Sequence, residues 1–233
     1  MILPDLQALW LTFKLAALTV VILFLLGLPL AWKISRYRGR FKPFIEAMVS
    51  LPLILPPTVL GFYLLIAFSP ESFLGGLWIQ LFGEQFVFSF GGILVGSIIY
   101  SMPFVMQPLI AAFEQQGTQV LMIAQTLGVS KYRAFYFWLL PQIKPALITA
   151  ATLGFAHTLG EFGLILMIGG NIPGQTQVVS IALYQHVEML DYASANKLAL
   201  ILLVLSFAIL TLLFRFNRSA ARFNPAKDFG GHS

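Results

Sequence analysis

The sequence predicts an all-α membrane protein with five transmembrane helices, and two observations carry this prediction. Of the 233 residues, 58% are hydrophobic and only 10% are charged, whereas soluble domains average about 25% charged residues. Five apolar segments are each long enough to cross a hydrocarbon core of about 30 Å, which takes about 20 residues. A soluble protein with so few charges could not cover its surface, so an integral membrane protein is predicted.

The five predicted spans cover residues 10–32, 44–68, 90–113, 143–168 and 198–216. The first has a tryptophan at each end, Trp10 and Trp32, where an interfacial aromatic belt is expected. A cleaved signal peptide fits this segment less well, because its charged residues follow the apolar run instead of preceding it. The glycine-rich segment 69–89 is too broken to span and predicts a short helix at the membrane interface.

The lysines and arginines predict the orientation of the chain. Twelve of the 14 fall on one side of the predicted spans: Lys33, Arg36, Arg38, Arg40, Lys42, Lys131, Arg133, Lys144, Arg215, Arg218, Arg222 and Lys227. Only Lys14 and Lys197 lie near the other side. Cations concentrate in cytoplasmic segments, so the N-terminus is predicted outside and the C-terminus inside. The net charge of +5 therefore reflects membrane orientation and does not indicate nucleic acid.

Prolines interrupt two of the predicted spans. The second contains Pro52, Pro56 and Pro57, and the third contains Pro103 and Pro108. Each proline removes a backbone donor and clashes with the preceding turn. Bent spans around a pathway are one interpretation, and ordinary packing irregularity is the other.

The segment 114–144 between the third and fourth spans has a turn in its middle. Residues 118–126 are predicted to form a helix, and Gly128 is predicted to end it with positive φ. Ser130 is predicted to be the N-cap of a second helix. The apolar and aromatic face of this pair of short helices comprises Val129, Tyr132, Phe135 and Tyr136. Such a face needs a partner, unless it packs on the protein's own spans.

The stretch "QTLGVSKYRAFYFWLLP" resembles the loop signature of bacterial ABC importer permeases, which runs Glu-Ala-Ala, three residues, Gly, nine residues, Ile, one residue, Leu-Pro. Four positions match: Ala124, Gly128, Leu140 and Pro141. Three depart, with Met122 for Glu, Ile123 for Ala and Trp138 for Ile. The resemblance implies a coupling helix that docks on an ATP-hydrolysing subunit, with Ser130, Lys131, Tyr132 and Arg133 on the contact.

Two further stretches, residues 51–65 and 159–184, are similar to the molybdate permease branch of this family, and sulfate permeases share forms of the second. The resemblance extends over residues 9–213. It implies a type I ABC importer permease domain there, followed by a cytoplasmic basic tail at 214–233. It further implies a homodimer in the bacterial inner membrane with two ATP-binding cassette subunits and a periplasmic oxyanion-binding protein. Molybdate is the implied substrate, with sulfate or tungstate as alternatives.

An ionisable residue inside the fourth span is a candidate for the pathway or its gate. Burying Glu161 at membrane depth costs about 2.5 kcal/mol or more, so a partner or a wet cavity is expected. His157 lies four residues earlier, which predicts the same helical face. Gly160 and Gly163 predict close helix approach. Because a carboxylate repels an oxyanion, a structural role for Glu161 is favoured over contact with substrate.

The stretch "GGNIPGQTQ", residues 169–177, opens the second outer segment. Asn171, Pro173 and Gly174 predict a tight turn. Its backbone donors could meet an anion or the binding protein, and a plain connecting loop is the alternative.

The sequence contains no phosphate-binding loop and no metalloprotease or hydrolase motif. Its three histidines, His157, His186 and His232, are scattered, and there is no cysteine. No enzyme activity, metal site or cofactor is therefore predicted for this chain, and ATP with Mg²⁺ is assigned to the partner subunit. A proton-coupled secondary transporter that uses His157 and Glu161 as a relay is a remaining alternative, although no internal repeat supports it.

Overall fold

A computed structural model describes residues 3–222, and this part of the chain is helical with no β-strand. The helices are α1 (Leu3–Arg36), α2 (Lys42–Ile54), α3 (Pro57–Ala67), α4 (Phe73–Phe82), α5 (Phe90–Thr126), α6 (Lys131–Arg133), a π-helical turn (Ala134–Leu139), α7 (Leu140–Gln142), α8 (Lys144–Leu159), α9 (Gly163–Gly169), α10 (Val179–Glu188) and α11 (Tyr192–Arg222). The predicted all-α class is confirmed.

Helices α1, α5 and α11 are each long and apolar enough to cross a membrane. Two bent pairs pass the same test together: α2 with α3, at 110°, and residues 131–142 with α8, at 68°. The described residues thus contain three unbroken candidate spans, or five when each bent pair is taken as one. All five predicted spans overlap these helices.

The bend between α2 and α3 follows from its prolines. Leu55 and Pro56 have extended backbone, with ψ of 133° and 137°, and α3 begins at Pro57. A residue before proline is driven out of the helical region, and proline itself is well placed in a first helical turn. The interruption expected in this span is therefore present. Helix α5, in contrast, runs without a break through Pro103 and Pro108.

One buried cluster joins the cation-rich ends of the spans. The Trp32 ring lies 5.2 Å from Phe113 and 5.1 Å from Phe135, both in edge-to-face arrangements. A Cβ atom on Gly117 would lie only 2.9 Å from the Trp32 ring. The indole of Trp32 thus packs between helices at the cation-rich end of α1, and its interfacial position stays a prediction. Trp10, at the other end of α1, is largely exposed.

A second cluster forms the opposite end of the molecule. Helix α9 packs closely on α3, where a Cβ on Gly61 would lie 2.7 Å from Met167. The short helix predicted at the interface is α4, and Ser72 caps its N-terminus by accepting a hydrogen bond from the Gly75 amide at 2.9 Å. Phe86 stacks on Phe68 at 4.0 Å and fixes the segment after α4 against this end.

A clamp between distant parts of the sequence also lies at this end. His186 Nε2 is 3.0 Å from an Asp5 carboxylate oxygen, and His186 Nδ1 is 3.7 Å from Asp191. The Ser194 amide donates to Asp191 at 3.1 Å, so Asp191 caps α11. Nothing in the spacing of these residues indicated that they would meet.

Three predicted boundaries need correction. The fourth span is not one helix, because α8 ends at Leu159 and α9 begins only at Gly163. Residues 118–126 are not a separate short helix but the end of α5. Helix α11 continues past the predicted start of the tail at 214 as far as Arg222, and residues 223–233 lie outside the described part.

Candidate functional site

The elbow segment, residues 127–142, follows α5 and begins with a complete helix-ending motif. Gly128 has φ of +67°, the Val129 amide donates to the Ala124 carbonyl at 2.9 Å, and the Gly128 amide donates to the Gln125 carbonyl at 3.1 Å. This pair of bonds, with Val129 packed near Ala124, is the Schellman motif. The predicted positive φ at Gly128 is confirmed, as is Ser130 as N-cap, whose hydroxyl accepts from the Arg133 amide at 3.4 Å.

The elbow segment has a buried side and an exposed side. Ala124, Ala134 and Leu139 are buried, and Leu140 is half-buried against the core. Tyr132 is 81% exposed and Phe137 is 74% exposed. Other exposed members are Leu127, Gly128, Ser130, Lys131, Arg133, Tyr136, Pro141 and Gln142. The residues that match the loop signature therefore fall into two groups. Some, such as Ala124, are buried and shape the elbow segment, and others are exposed on its surface.

The aromatic face differs from its predicted composition at two residues. Phe135 packs inward, 6.0 Å from Phe113, and Phe137 is exposed although the sequence did not single it out. The π-helical turn over Ala134–Leu139 has a wider period than an α-helix, which changes the side on which each ring falls. Single-turn π segments occur often at functional sites.

At the end of α8, a polar cluster joins α5 to the break in the fourth span; its members are Ser97, Ser101, His157, Thr158 and Glu161. The Ser97 hydroxyl donates to Glu161 Oε2 at 3.0 Å. The Ser180 hydroxyl donates to the Glu161 backbone carbonyl at 2.7 Å. Glu161 is only 4% exposed, and its Oε1 has no hydrogen-bond partner among the described residues.

His157 is held on several sides. Its Nδ1 lies 3.0 Å from the Ser101 hydroxyl. Its ring stacks on Phe104 at 3.9 Å and lies 4.7 Å from the Tyr100 ring. Its Nε2 makes no hydrogen bond to a described residue, and the side chain is only part-buried.

The prediction that His157 and Glu161 share one helical face is wrong. His157 lies on α8, whereas Glu161 lies in the non-helical break at residues 160–162. Each side chain bonds its own serine, Ser97 or Ser101, one turn apart on α5. Two serines at i and i+4 in an apolar span were the available signal for this cluster.

The two glycines that flank Glu161 have different surroundings. A Cβ on Gly163 would lie 3.3 Å from Pro57 and Thr58, which is close approach to α3, as predicted. A Cβ on Gly160 would meet only carbonyls of its own preceding turn, at 4.0 Å. Close helix approach at Gly160 is therefore wrong.

The predicted turn of residues 169–177 is present. Gly170 and Gly174 have φ of +65° and +76°. The Ile172 carbonyl accepts the amides of Gln175, Thr176 and Gln177, while Asn171, Pro173 and Gly174 are exposed. The Asn171 amide donates to Gln185 at 3.1 Å, which ties the turn to α10.

Polar side chains continue along α5 from this cluster toward the elbow segment. Gln107 donates to the Ser50 hydroxyl at 3.1 Å, and Lys42 donates to Glu114 at 2.6 Å. Gln107 and Glu114 are two helical turns apart and share a face. Exposed amide and carboxylate groups do not suit a lipid-facing surface, so this side of α5 faces protein or water. Within residues 3–222, no group of three or more His, Asp or Glu side chains could hold a metal ion.

Broken apolar spans, a polar side of α5 and an exposed aromatic elbow define the membrane-spanning part of a transporter. The family model for binding-protein-dependent transport system inner membrane components matches residues 5–227, and the chain belongs to this family.

Two curated relatives and one solved structure are similar to the chain. The molybdenum transport system permease protein ModB of Azotobacter vinelandii is 47% identical over 217 residues, which cover 93% of this chain and 96% of the relative. The sulfate transport system permease protein CysT of Escherichia coli (strain K12) is 34% identical over 84% of this chain and 70% of the relative. An inward-facing structure of the MetNI methionine ABC transporter matches 94% of this chain and 99% of its own with a TM-score of 0.73 at 18% identity. That likeness shows the fold of an ABC importer permease.

Proposed function

We propose that this chain is the permease subunit of an ATP-driven importer of molybdate, and that it forms the pathway for the anion by alternating access. The observation that carries this proposal is the 47% identity to a molybdenum permease over nearly the full length of both chains. The proposed unit is one permease domain over residues 9–213 with a basic tail at 214–233.

The proposed assembly contains two copies of this chain, two ATP-binding cassette subunits and a periplasmic oxyanion-binding protein in the bacterial inner membrane. The family description supports the dependence on a binding protein. ATP and Mg²⁺ bind in the cassette subunits, and this chain holds no cofactor. The N-terminus lies outside and the C-terminus inside, in line with the positive-inside rule.

The exposed side of the elbow segment is the proposed contact with the cassette subunit. Tyr132, Tyr136 and Phe137 would fill an apolar groove, and Lys131 and Arg133 would pair with acidic side chains at its rim. Exposed aromatic patches of this kind mark interaction sites. Closure of the two cassettes on ATP would then move the elbow segments together and shift the spans between two states.

The polar cluster is the proposed lining and gate of the pathway. His157 presents a polar ring edge, while the carboxylate of Glu161 accepts a hydrogen bond from Ser97, in line with a structural role. Gly160 lies in the break that would let the span bend, and Gly163 begins α9 directly after it. Asn171, Pro173 and Gly174 belong to the outer turn that would meet the binding protein.

The test is ATP hydrolysis by the purified complex in lipid nanodiscs. Binding proteins loaded with molybdate, tungstate or sulfate are added in turn, with each unloaded protein as control. We expect the molybdate-loaded protein to stimulate hydrolysis most strongly. Stimulation by a sulfate-binding protein alone would instead support the second candidate, a sulfate permease, which the 34% identity to CysT favours.

A proton-coupled secondary transporter would need a proton gradient and no ATP hydrolysis. Anion uptake into vesicles that requires a proton gradient but no cassette subunit would refute the ATP-driven proposal. Uptake that stops when the cassette subunit carries an inactivated ATP site would support it.

A further inference from the structure

The hydroxyl groups around His157 form a chain whose direction can be worked out atom by atom. Ser101 Oγ lies 3.0 Å from His157 Nδ1 and 2.9 Å from Thr158 Oγ1, and Thr158 Oγ1 lies 2.9 Å from the Gly154 carbonyl. Ser101 and Thr158 are fully buried. Their hydrogen bonds must therefore be satisfied within the protein.

The carbonyl at the end of this chain sets the direction of every bond. The Gly154 oxygen can only accept, so the single Thr158 hydroxyl proton is donated there. Thr158 must then accept from Ser101, which uses the single proton of Ser101. The contact between Ser101 and His157 is satisfied only when Nδ1 carries a proton and donates it. The neutral imidazole thus has its lone pair on Nε2.

Nε2 is the ring nitrogen that makes no hydrogen bond to a described residue. When Nε2 gains a proton, Nδ1–H still donates to Ser101, so no bond of the chain has to reverse. Among the described residues, the titratable group in contact with the ring is Tyr100 of α5. Glu161, past the end of the same helix as His157, accepts a hydrogen bond from Ser97. From α1, which also packs on α8, Lys14 is directed at the Phe90 ring instead.

We infer that His157 Nε2 takes up a proton when an oxyanion arrives beside it, and that Ser101 and Thr158 are positioning residues that reserve this nitrogen for the task. This inference rests on the proposed function. An oxyanion has only acceptor oxygens, so a bare lone pair repels it and an N–H attracts it. The proton comes from water, forms the Nε2–H bond while the anion is present, and returns to water when the anion leaves. The contact is then attractive only during passage.

Transport should therefore depend on pH through this one nitrogen. In reconstituted complex with its cassette subunits and binding protein, we expect molybdate uptake to fall about tenfold or more between about pH 6 and pH 8, because the proton that Nε2 must take up becomes scarcer as pH rises. His157→Gln places an amide N–H near the position of Nε2 and should keep uptake with a flat pH profile. His157→Asn can still donate to Ser101 but reaches no further, so it should assemble and lose uptake.

Two results would overturn the inference: a His157→Gln variant with the wild-type pH slope, or a His157→Asn variant that transports as well as wild type. If either variant fails to assemble, nitrogen-15 NMR of the labelled wild-type complex decides. With the label in this chain alone, which has only three histidines, His186→Gln and His232→Gln suffice for assignment. We expect an Nδ1–H tautomer without anion and protonated Nε2 with saturating molybdate, and an Nε2–H tautomer without anion would refute the inference.

Variants of the hydroxyl chain test the positioning role. Ser101→Ala and the isosteric Thr158→Val should each give a mixture of tautomers, whereas Ser101→Thr should restore the single one. A pure Nδ1–H tautomer in Ser101→Ala would show that the chain does not position the ring. If wild-type complex moves no molybdate, the proposed function fails, and NMR with tungstate or sulfate still reports whether an oxyanion protonates Nε2.

Discussion

At the scale of single residues, the carboxylate of Glu161 depends on one side-chain hydrogen bond. Glu161 is 4% exposed, and Ser97 is the donor to its Oε2. Ser97→Ala would leave this buried carboxyl group without that donor, and a stranded buried polar group costs about 1–3 kcal/mol. We expect the variant to lower the free energy of unfolding by that amount, measured by thermal unfolding in detergent.

Ser206→Ala is the matched control for this prediction. Ser206 lies half-buried on α11, and its hydroxyl makes no hydrogen bond to a residue within 3–222. The same atoms are removed from a helix, so Ser206→Ala should shift the midpoint little. Equal shifts for the two variants would mean that the bond to Glu161 contributes nothing.

A second prediction for a single residue concerns Gly128, where the backbone conformation and not the surrounding space requires glycine. A Cβ there would meet nothing within 4 Å, yet φ is +67°. The cost of Gly128→Val is therefore backbone strain, about 1–2 kcal/mol. We expect it to distort the elbow segment and to reduce binding-protein-stimulated ATP hydrolysis.

Gly128→Asn should retain most of that activity, since asparagine tolerates the left-handed region. Gly76→Ala on α4 controls for the added methyl group, because that site is equally open and has negative φ. A Gly128→Val complex that hydrolyses ATP normally would contradict the role given to this turn.

At the scale of elements, the elbow segment presents two cations beside its exposed rings. Lys131 and Arg133 are exposed, and no ion pair joins either of them to a described residue. Replacing both with glutamate should repel acidic groups on a partner and weaken its docking. We expect less cassette subunit to co-purify, and progressively less as ionic strength falls, since screening decreases.

Charge reversal at the opposite end of the molecule is the control. Lys14→Glu with Lys197→Glu changes the net charge equally but lies far from the elbow segment. Co-purification should match wild type in this variant. Equal loss in both double variants would assign the effect to net charge or folding and not to a contact at the elbow segment.

Local features of the elements were predictable from the sequence, but contacts between elements were not. The turn at Gly128 was predictable because a Schellman motif is local, and the span positions followed from hydropathy. The break at residues 160–162 was not, since averaging over a window hides a short interruption inside an apolar run. The partners of Glu161 and His157 depend on how α5 packs against α8, which no pattern within either helix specifies.

At the scale of the whole molecule, the clamp of His186 with Asp5 and Asp191 joins the first helix to the last two. His186→Ala should free the first turn of α1, while His186→Gln retains a donor near Asp5. We expect faster amide hydrogen exchange over residues 3–8 in the alanine variant only. Unchanged exchange there would mean that the N-terminus is held by apolar packing alone.

Acid should loosen the same clamp. Hydrogen bonds from the Ser194 hydroxyl and amide hold the pKa of Asp191 below its usual range. A lowered pKa in the folded state stabilises the fold above the ordinary aspartate value of about 3.9 and loses that contribution as pH falls through the folded value. The protection factor of amides at the start of α11, which compares their exchange with the intrinsic rate at each pH, should therefore be constant from neutral pH down to about 4 and fall below it.

The orientation of the whole chain can be tested by labelling single introduced cysteines, because the sequence contains no cysteine of its own that would react. Gln125 and Gln175 are both exposed, at opposite ends of the molecule. If the cation-rich end faces the cytoplasm, a membrane-impermeant maleimide added to intact spheroplasts should label Gln175→Cys and leave Gln125→Cys unlabelled until the cells are lysed. Labelling of Gln125→Cys from outside would place the elbow segment beyond the reach of any cytoplasmic ATPase, and the importer proposal would fail with it.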